Sequence, residues 1–235
     1  QVIITTSYRI GETGPMIDED IQSKLYAGVA DFFAEELPLE SFFTDETEDA
    51  IGLVGSRVVG PTIADDIKSG AVYSIIFSLI VVFLYILIRF RKWQFSLGAV
   101  VALLHDVLFV MGVFSLADGF LPFQLEVDQA FIAAILTVIG YSLNDTVVVF
   151  DRIRENMGSR GKQNSVSVNK SLNQTLSRTF NTSLTTFFVL LVIFLFGGEV
   201  IRGFMFALLL GVLVGTYSSL FIATPVMFDA SDKDS

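Results

Sequence analysis

Apolar residues occur in long blocks along the chain, and polar residues are concentrated between these blocks. Five blocks are close in length to the run of about 20 apolar residues that a membrane-spanning helix needs. We therefore predict a transmembrane region over residues 67–228, with five helices at about 68–90, 95–117, 128–150, 178–197 and 202–228. A short polar tail, 229–235, follows the last helix.

Residues 1–66 follow a different pattern, in which shorter segments are separated by polar residues. Residues 2–10 are rich in β-branched side chains, 17–37 have apolar residues at helical spacing, and 50–59 are typical of a second strand. This order predicts a small α+β domain. Its few elements indicate that the domain is N-terminally incomplete.

Composition indicates the class of protein. Of 235 residues, 52% are hydrophobic and 17% are charged, which leaves too little polar surface for a soluble domain. The chain is therefore predicted to be an integral membrane protein. It contains no cysteine and a single histidine, and it has no glycine-rich phosphate loop of the P-loop type. We expect no metal, no cofactor, no nucleic-acid partner and no enzymatic activity.

The distribution of charge predicts the orientation in the membrane. Residues 1–66 contain 14 acidic and 3 basic residues, whereas the loops after the first and third helices are basic. Because basic loops remain in the cytoplasm, residues 1–66 are predicted to be extracytoplasmic and the tail 229–235 cytoplasmic. An exported domain needs a transmembrane segment ahead of it, so we expect one before Gln1.

A carboxylate, Asp145, interrupts the third apolar block. An Asp at the centre of a membrane helix costs about 2.5–3.5 kcal/mol on translocon scales, so such residues usually mark a substrate, ion or proton path. Tyr141 lies one helical turn before it and Asn144 beside it. Arg152, two turns later, would continue the same face to the cytoplasmic surface. The alternative is that Asp145 only holds helices together.

A second ionisable pair, His105 and Asp106, lies in the middle of the second block. The two side chains could relay a proton, or they could simply satisfy each other's hydrogen bonds. Asp106 and Asp145 could also share a proton as an intramembrane aspartyl protease does. The motif argues against that hypothesis, because Asp145 lies in Leu143-Asn144-Asp145-Thr146 rather than in the Gly-x-Gly-Asp arrangement of such proteases.

Arg178 lies at the start of the fourth block among hydroxyl residues. It could pair with Asp145, or it could be one more cytoplasmic anchor whose side chain reaches the headgroups. In the fifth block, Gly211-x-x-x-Gly215 could let another helix approach closely. A structural salt-bridge lattice is expected for the charged residues just beyond the third block, Asp151, Arg152, Arg154 and Glu155.

Several motifs, taken in order, resemble those of the SecF family, the smaller membrane subunits of the SecDF protein-export complex within the resistance-nodulation-division superfamily. Their order and helix placement make the resemblance specific. The motifs are Val59-Gly60-Pro61, Arg89-Phe90-Arg91, His105-Asp106, the segment 140–155, Ser177-Arg178-Thr179, Thr182-Ser183 and Gly215-Thr216-Tyr217-Ser218-Ser219.

The resemblance implies a fold and a set of partners. The fold would be an α-helical membrane bundle, half of a pseudosymmetric twelve-helix bundle, with a ferredoxin-like α+β domain outside the membrane. The other half would come from SecD, or from the SecD half of one fused polypeptide. The further partners would be the SecYEG translocon, the exported polypeptide and membrane lipid, and the location would be the bacterial cytoplasmic (inner) membrane.

The resemblance also implies a function. The complex would use the proton-motive force to assist polypeptide export, with Asp145 and Arg178 in the proton pathway. Moving the arginine would change the proton affinity of the carboxylate. A secondary relay would involve His105, Asp106, Tyr141 and Asn144. The alternative is half of a proton-driven small-molecule or lipid exporter of the same superfamily, although such exporters usually have much larger external domains.

Overall fold

The computed structural model describes Tyr8 and residues 15–32, 61–123, 125–157 and 164–232. The chain divides into two compact units, Gln1–Ser69 and Gly70–Ser235. In the first unit, α1 covers Pro15–Val29 and a 3-10 turn covers Ala30–Phe32. The strands predicted over 2–10 and 50–59 lie outside the described residues apart from Tyr8, and no strand occurs among those that are described. The ferredoxin-like fold therefore stays a prediction.

Five helices in the described part of the chain are long and apolar enough to cross a membrane, as predicted. The first four are α2 (Pro61–Phe90), α3 (Trp93–Ala117), α4 (Gln129–Asn156) and α5 (Ser165–Phe196). The last combines α6 (Glu199–Ser218), a π-helical segment (Ser219–Ala223) and α7 (Thr224–Asp232).

Local capping explains where α4 and α5 begin. The side chain of Asp128 accepts a hydrogen bond from the backbone N–H of Phe131 at 2.8 Å. Asn164 forms a capping box with Ser167 before α5. These caps satisfy N–H groups that the first helical turn leaves without a partner. Because of its cap, α5 begins at Ser165, well upstream of its apolar block, and its first turns carry polar residues.

The central helix of the second unit is α6, which packs against α3, α4 and α5. Two glycines bring it close to α4. A Cβ atom at Gly211 would overlap the side chain of Val138, and one at Gly215 would lie 2.9 Å from the Cβ of Ser142. The close helix approach predicted for this motif is therefore observed, with α4 as the neighbouring helix.

The π-helical segment lies where the last crossing meets α3 and α4. The Thr224 hydroxyl donates to the Ser219 carbonyl, five residues earlier, at 3.2 Å. Beyond this segment, Met227 is fully buried and lies against Gly98 of α3. The wide turn therefore sets which face of α7 packs into the bundle.

One end of the bundle, which we call the basic end, is closed by aromatic rings and ion pairs. Asp151 pairs with Arg89 of α2 at 3.0 Å and with Arg154 at 2.9 Å. Arg152 pairs with Glu155 at 2.8 Å. The expected salt-bridge lattice is thus observed, and it also reaches α2. Beneath it pack three rings from α2, α3 and α4, namely Phe90, Phe95 and Phe150.

Candidate functional site

Asp145 lies in α4 with only 3% of its surface exposed. Ser183 of α5 donates a hydrogen bond to its Oδ2 at 3.1 Å. Thr216 of α6 donates to the Ser183 hydroxyl at 2.6 Å. We call these three residues the Asp145 cluster. Since a buried carboxylate is costly without hydrogen-bond donors, the cluster links α4, α5 and α6 through one ionisable group.

Arg178 lies on the exposed face of α5. Its guanidinium is close enough to interact electrostatically with Asp145. Within residues 61–123, 125–157 and 164–232, however, Arg178 forms no ion pair. The structure therefore places the two predicted proton-pathway residues on adjacent helices without joining them directly.

Tyr141 and Asn144 occupy different positions around α4. The Tyr141 hydroxyl donates to the Thr182 carbonyl of α5 at 3.4 Å, one helical turn from Asp145. Asn144 is exposed. Tyr141 also lines a cavity of about 100 Å³ between α4, α5 and α6, whose other walls are Thr137, Val138, Thr186, Leu190, Leu208 and Val212.

Asp106 forms a second buried carboxylate site, with none of its surface exposed. Ser142 of α4 donates to its Oδ2 at 2.6 Å, and Ser218 of α6 donates to the same oxygen at 2.8 Å. Nδ1 of His105 lies 3.2 Å from Oδ1, and the histidine side chain is 36% exposed. Hydrogen bonds at this site join α3, α4 and α6.

The two buried carboxylates are held separately. Asp106 accepts from Ser142 and Ser218, Asp145 accepts from Ser183, and no hydrogen bond joins the two carboxylates in the described part of the chain. The aspartyl-protease hypothesis required a shared proton between them, and the structure does not bring them together for that. No group of three or more metal-ligating side chains occurs among the residues that were described.

The hydroxyl partners of both carboxylates were not recognised from the sequence. Ser142, Ser183 and Ser218 lie far from their acceptors along the chain, so no local pattern reports the contacts. One signal was available on α5, where hydroxyl residues recur at every fourth position. Residues four apart share one helical face, and this face proves to be buried, as Ser171, Thr175, Thr179 and Ser183 show.

The family model described as "Protein export membrane protein SecD/SecF, C-terminal" matches residues 41–233. The chain belongs to this family. The resemblance based on motifs along α2 to α6 is thereby confirmed.

SecD/SecF relatives resemble the chain over most of its length. The protein translocase subunit SecF of Rhodothermus marinus is 60% identical over 178 residues, which are 75% of this chain and 58% of that protein. The protein translocase subunit SecDF of Brucella abortus biovar 1 is 46% identical over 171 residues, 72% of this chain and 22% of that protein. The chain thus spans little more than half of that SecF relative.

A solved SecDF structure is also similar in fold. The crystal structure of SecDF in super-membrane-facing form matches 94% of this chain and 27% of that chain, with a TM-score of 0.67 and 31% sequence identity. The helical arrangement described above is therefore that of a SecD/SecF membrane domain.

Proposed function

We propose that this chain is the SecF-type part of a proton-driven accessory complex that assists the export of polypeptides through the SecYEG channel. Its SecD/SecF relatives carry the names of protein translocase subunits. These names favour protein export over the small-molecule or lipid exporter considered as the alternative. The role is transport rather than catalysis.

The observation that carries this proposal is the Asp145 cluster. Protonation of Asp145 removes its charge and weakens its need for the Ser183 hydroxyl, because charge-assisted hydrogen bonds are about twice as strong as neutral ones. The contact between α4, α5 and α6 would then change with each proton bound. One charge crossing the membrane potential is worth about 2.3 kcal/mol per 100 mV, so a few protons could drive a rearrangement of these helices.

Arg178 would be the charged partner of Asp145 in this cycle. The two residues lie on adjacent helices and form no direct ion pair within the described residues, so in our proposal they interact electrostatically across the α4–α5 contact. A small movement of α5 would therefore change the strength of this interaction. In our proposal that movement links the protonation of Asp145 to the conformation of the complex.

The exposed polar residues of α4 and α5 support an opposing half-bundle. Asn144, Arg178, Asn181 and Thr185 lie within membrane-spanning helices and are exposed in this chain. Exposure of these polar side chains to lipid would be costly, since polar side chains inside a membrane normally face protein or a water-filled cavity. We infer that SecD, or the SecD half of the same polypeptide, covers this face and completes a twelve-helix bundle.

The proposed location is the bacterial cytoplasmic (inner) membrane, which the chain would cross several times. Basic residues from α2 and α4 gather at the basic end, as expected for a cytoplasmic surface. Residues 1–66 would then lie on the extracytoplasmic side, and the tail 229–235 in the cytoplasm.

An export assay with Asp145→Asn tests the proposal. The complete protein that contains this chain would be assembled with its partner half in membrane vesicles, and translocation of a secretory polypeptide measured with and without a proton gradient. We expect Asp145→Asn to abolish the part of translocation that depends on the gradient. The matched control is Asp151→Asn, which alters a carboxylate of the same helix at the basic end. Undiminished gradient-dependent export in Asp145→Asn would contradict the proposal.

A further inference from the structure

Four hydroxyl residues form a buried line along α5. These residues are between 0% and 6% exposed although all four are polar. Residues four apart lie on one face of a helix, one above the other. We call this line the hydroxyl row, and it consists of Ser171, Thr175, Thr179 and Ser183.

Both ends of the hydroxyl row bind α4. At one end, Ser183 donates to Asp145 at 3.1 Å. At the other end, the Ser171 hydroxyl lies 3.3 Å from the Arg152 carbonyl and accepts from the side-chain amide of Asn156 at 2.8 Å. The hydroxyl row therefore follows the contact between α4 and α5 from Asp145 to the basic end.

Thr179 differs from the other threonines of α5. Thr175 and Thr186 donate back to carbonyls of their own helix, at 3.1 Å and 3.0 Å. Such back-bonding is the ordinary state of a helical threonine. Thr179 is only 1% exposed, yet its buried hydroxyl has no hydrogen-bond partner in the described part of the chain. An unsatisfied buried hydroxyl is costly, so a polar partner for Thr179 would be favourable.

We propose that the hydroxyl row conducts protons between Asp145 and the basic end, with water bound at Thr179 as the link to Ser183. Successive hydroxyl residues are four positions apart, which is about 6 Å along the helix axis. Two waters joined by hydrogen bonds of about 2.8 Å span that distance. Protonated Asp145 gives its proton to these waters, and the outermost water of the row releases one to bulk solvent. Only O–H bonds are broken and formed.

In the opposite direction from Asp145, no comparable row of buried hydroxyls occurs in the described part of the chain. There Tyr141 lines the cavity of about 100 Å³, whose walls are mostly apolar side chains. The hydroxyl row thus assigns proton exchange of Asp145 to the basic end, which is cytoplasmic in the proposed orientation. This inference rests on the proposed role of Asp145.

Proton flux in three variants tests the hydroxyl row. Thr179→Val keeps the shape and removes the hydroxyl, Thr179→Ser keeps the hydroxyl, and Thr186→Val is a matched control on the same helix. The complete protein with its partner half would be reconstituted in liposomes that contain a pH-sensitive dye. We expect flux to fall about fivefold in Thr179→Val, as when one hydrogen-bonded link is lost, and to be retained in Thr179→Ser and Thr186→Val.

Asp145→Asn, measured in the same liposomes, separates the two proposals. If Asp145→Asn stops the flux while Thr179→Val leaves it unchanged, the hydroxyl row is not the path and the role of Asp145 stands. If Asp145→Asn also leaves the flux unchanged, the proposed function fails and the inference fails with it.

Water access at Thr179 gives a second test that does not depend on flux. The chain contains no cysteine, so a single cysteine introduced here is the only one in it. We expect Thr179→Cys to react with a small charged thiol reagent added from the side of the basic end. Leu184→Cys, on another face of α5, should not react. Absence of reaction at position 179 in folded protein would overturn the inference.

Discussion

Gly211 of α6 lies directly against Val138 of α4, and a Cβ atom at position 211 would overlap Cγ2 of the valine. One turn later, Gly215 meets Ser142 in the same way. Lipid offers no hydrophobic force that drives helices together, so their association depends on close packing. The position of Ser142 beside Asp106 therefore depends on two glycines of another helix.

We expect Gly211→Ala to destabilise the membrane domain by about 1–3 kcal/mol, because the added methyl group must displace α4 or Val138. Thermal unfolding in detergent would measure the loss. Adding Val138→Ala to the same chain should restore most of the stability, since the two positions are in direct contact. Gly112→Ala is the control, because nothing lies within 4 Å of a Cβ placed there. Equal stability of Gly211→Ala and Gly112→Ala would refute the packing argument.

Asp106 is expected to act as a structural anchor, and Asp106→Asn tests this against the relay hypothesis. The amide oxygen can still accept from Ser142 and Ser218, and the amide N–H group can donate to Nδ1 of His105. We therefore expect this variant to remain folded and to retain gradient-dependent export. A stable Asp106→Asn protein that has lost export would instead identify His105 and Asp106 as a proton relay.

Removal of a donor to Asp106 should affect stability rather than transport directly. We expect Ser142→Ala to cost about 1–3 kcal/mol, since it leaves a fully buried carboxylate with one donor fewer. Thermal unfolding of the purified protein would measure this. Thr137→Ala is a suitable control, because within the described residues the Thr137 hydroxyl bonds only to the Ala133 carbonyl of its own helix. A Ser142→Ala protein as stable as the control would mean that the 2.6 Å contact contributes little.

The charge of Arg178, rather than its exact shape, should matter for export. Because Arg178 forms no ion pair within the described residues, its proposed action on Asp145 is electrostatic. We expect Arg178→Gln to reduce gradient-dependent export about tenfold, equal to about 1.4 kcal/mol in the barrier, and Arg178→Lys to retain more of it. Lys170→Gln removes an exposed charge from the same helix and serves as the control. Wild-type export in Arg178→Gln would exclude Arg178 from the pathway.

The main features of the membrane domain could be predicted because the lipid bilayer requires long apolar helices. Long apolar blocks identify the five helices, and a carboxylate inside such a block identifies Asp145 as exceptional. The hydrogen-bond partners could not be predicted, because Ser183 reaches Asp145 from 38 residues away and Ser218 reaches Asp106 from 112 residues away. Such contacts depend on how whole helices pack.

Two further features could not be predicted from local sequence patterns alone. The hydroxyl row follows a spacing of four residues that is visible in the sequence, but only the structure shows that this face is buried against α4. The π-helical segment Ser219–Ala223 lies in an apolar block like the others, so hydropathy does not distinguish it from α-helix.

The π-helical segment is equivalent to the insertion of one residue into the last membrane-spanning helix, which remains continuous through it. A turn of this kind closes on the fifth residue instead of the fourth, so every position after it is out of phase with α6. Deleting one residue between 219 and 223 would bring the helix back into phase and rotate α7 by about 100°. Met227 would then turn away from Gly98, and a different side of the C-terminal helix would face the bundle.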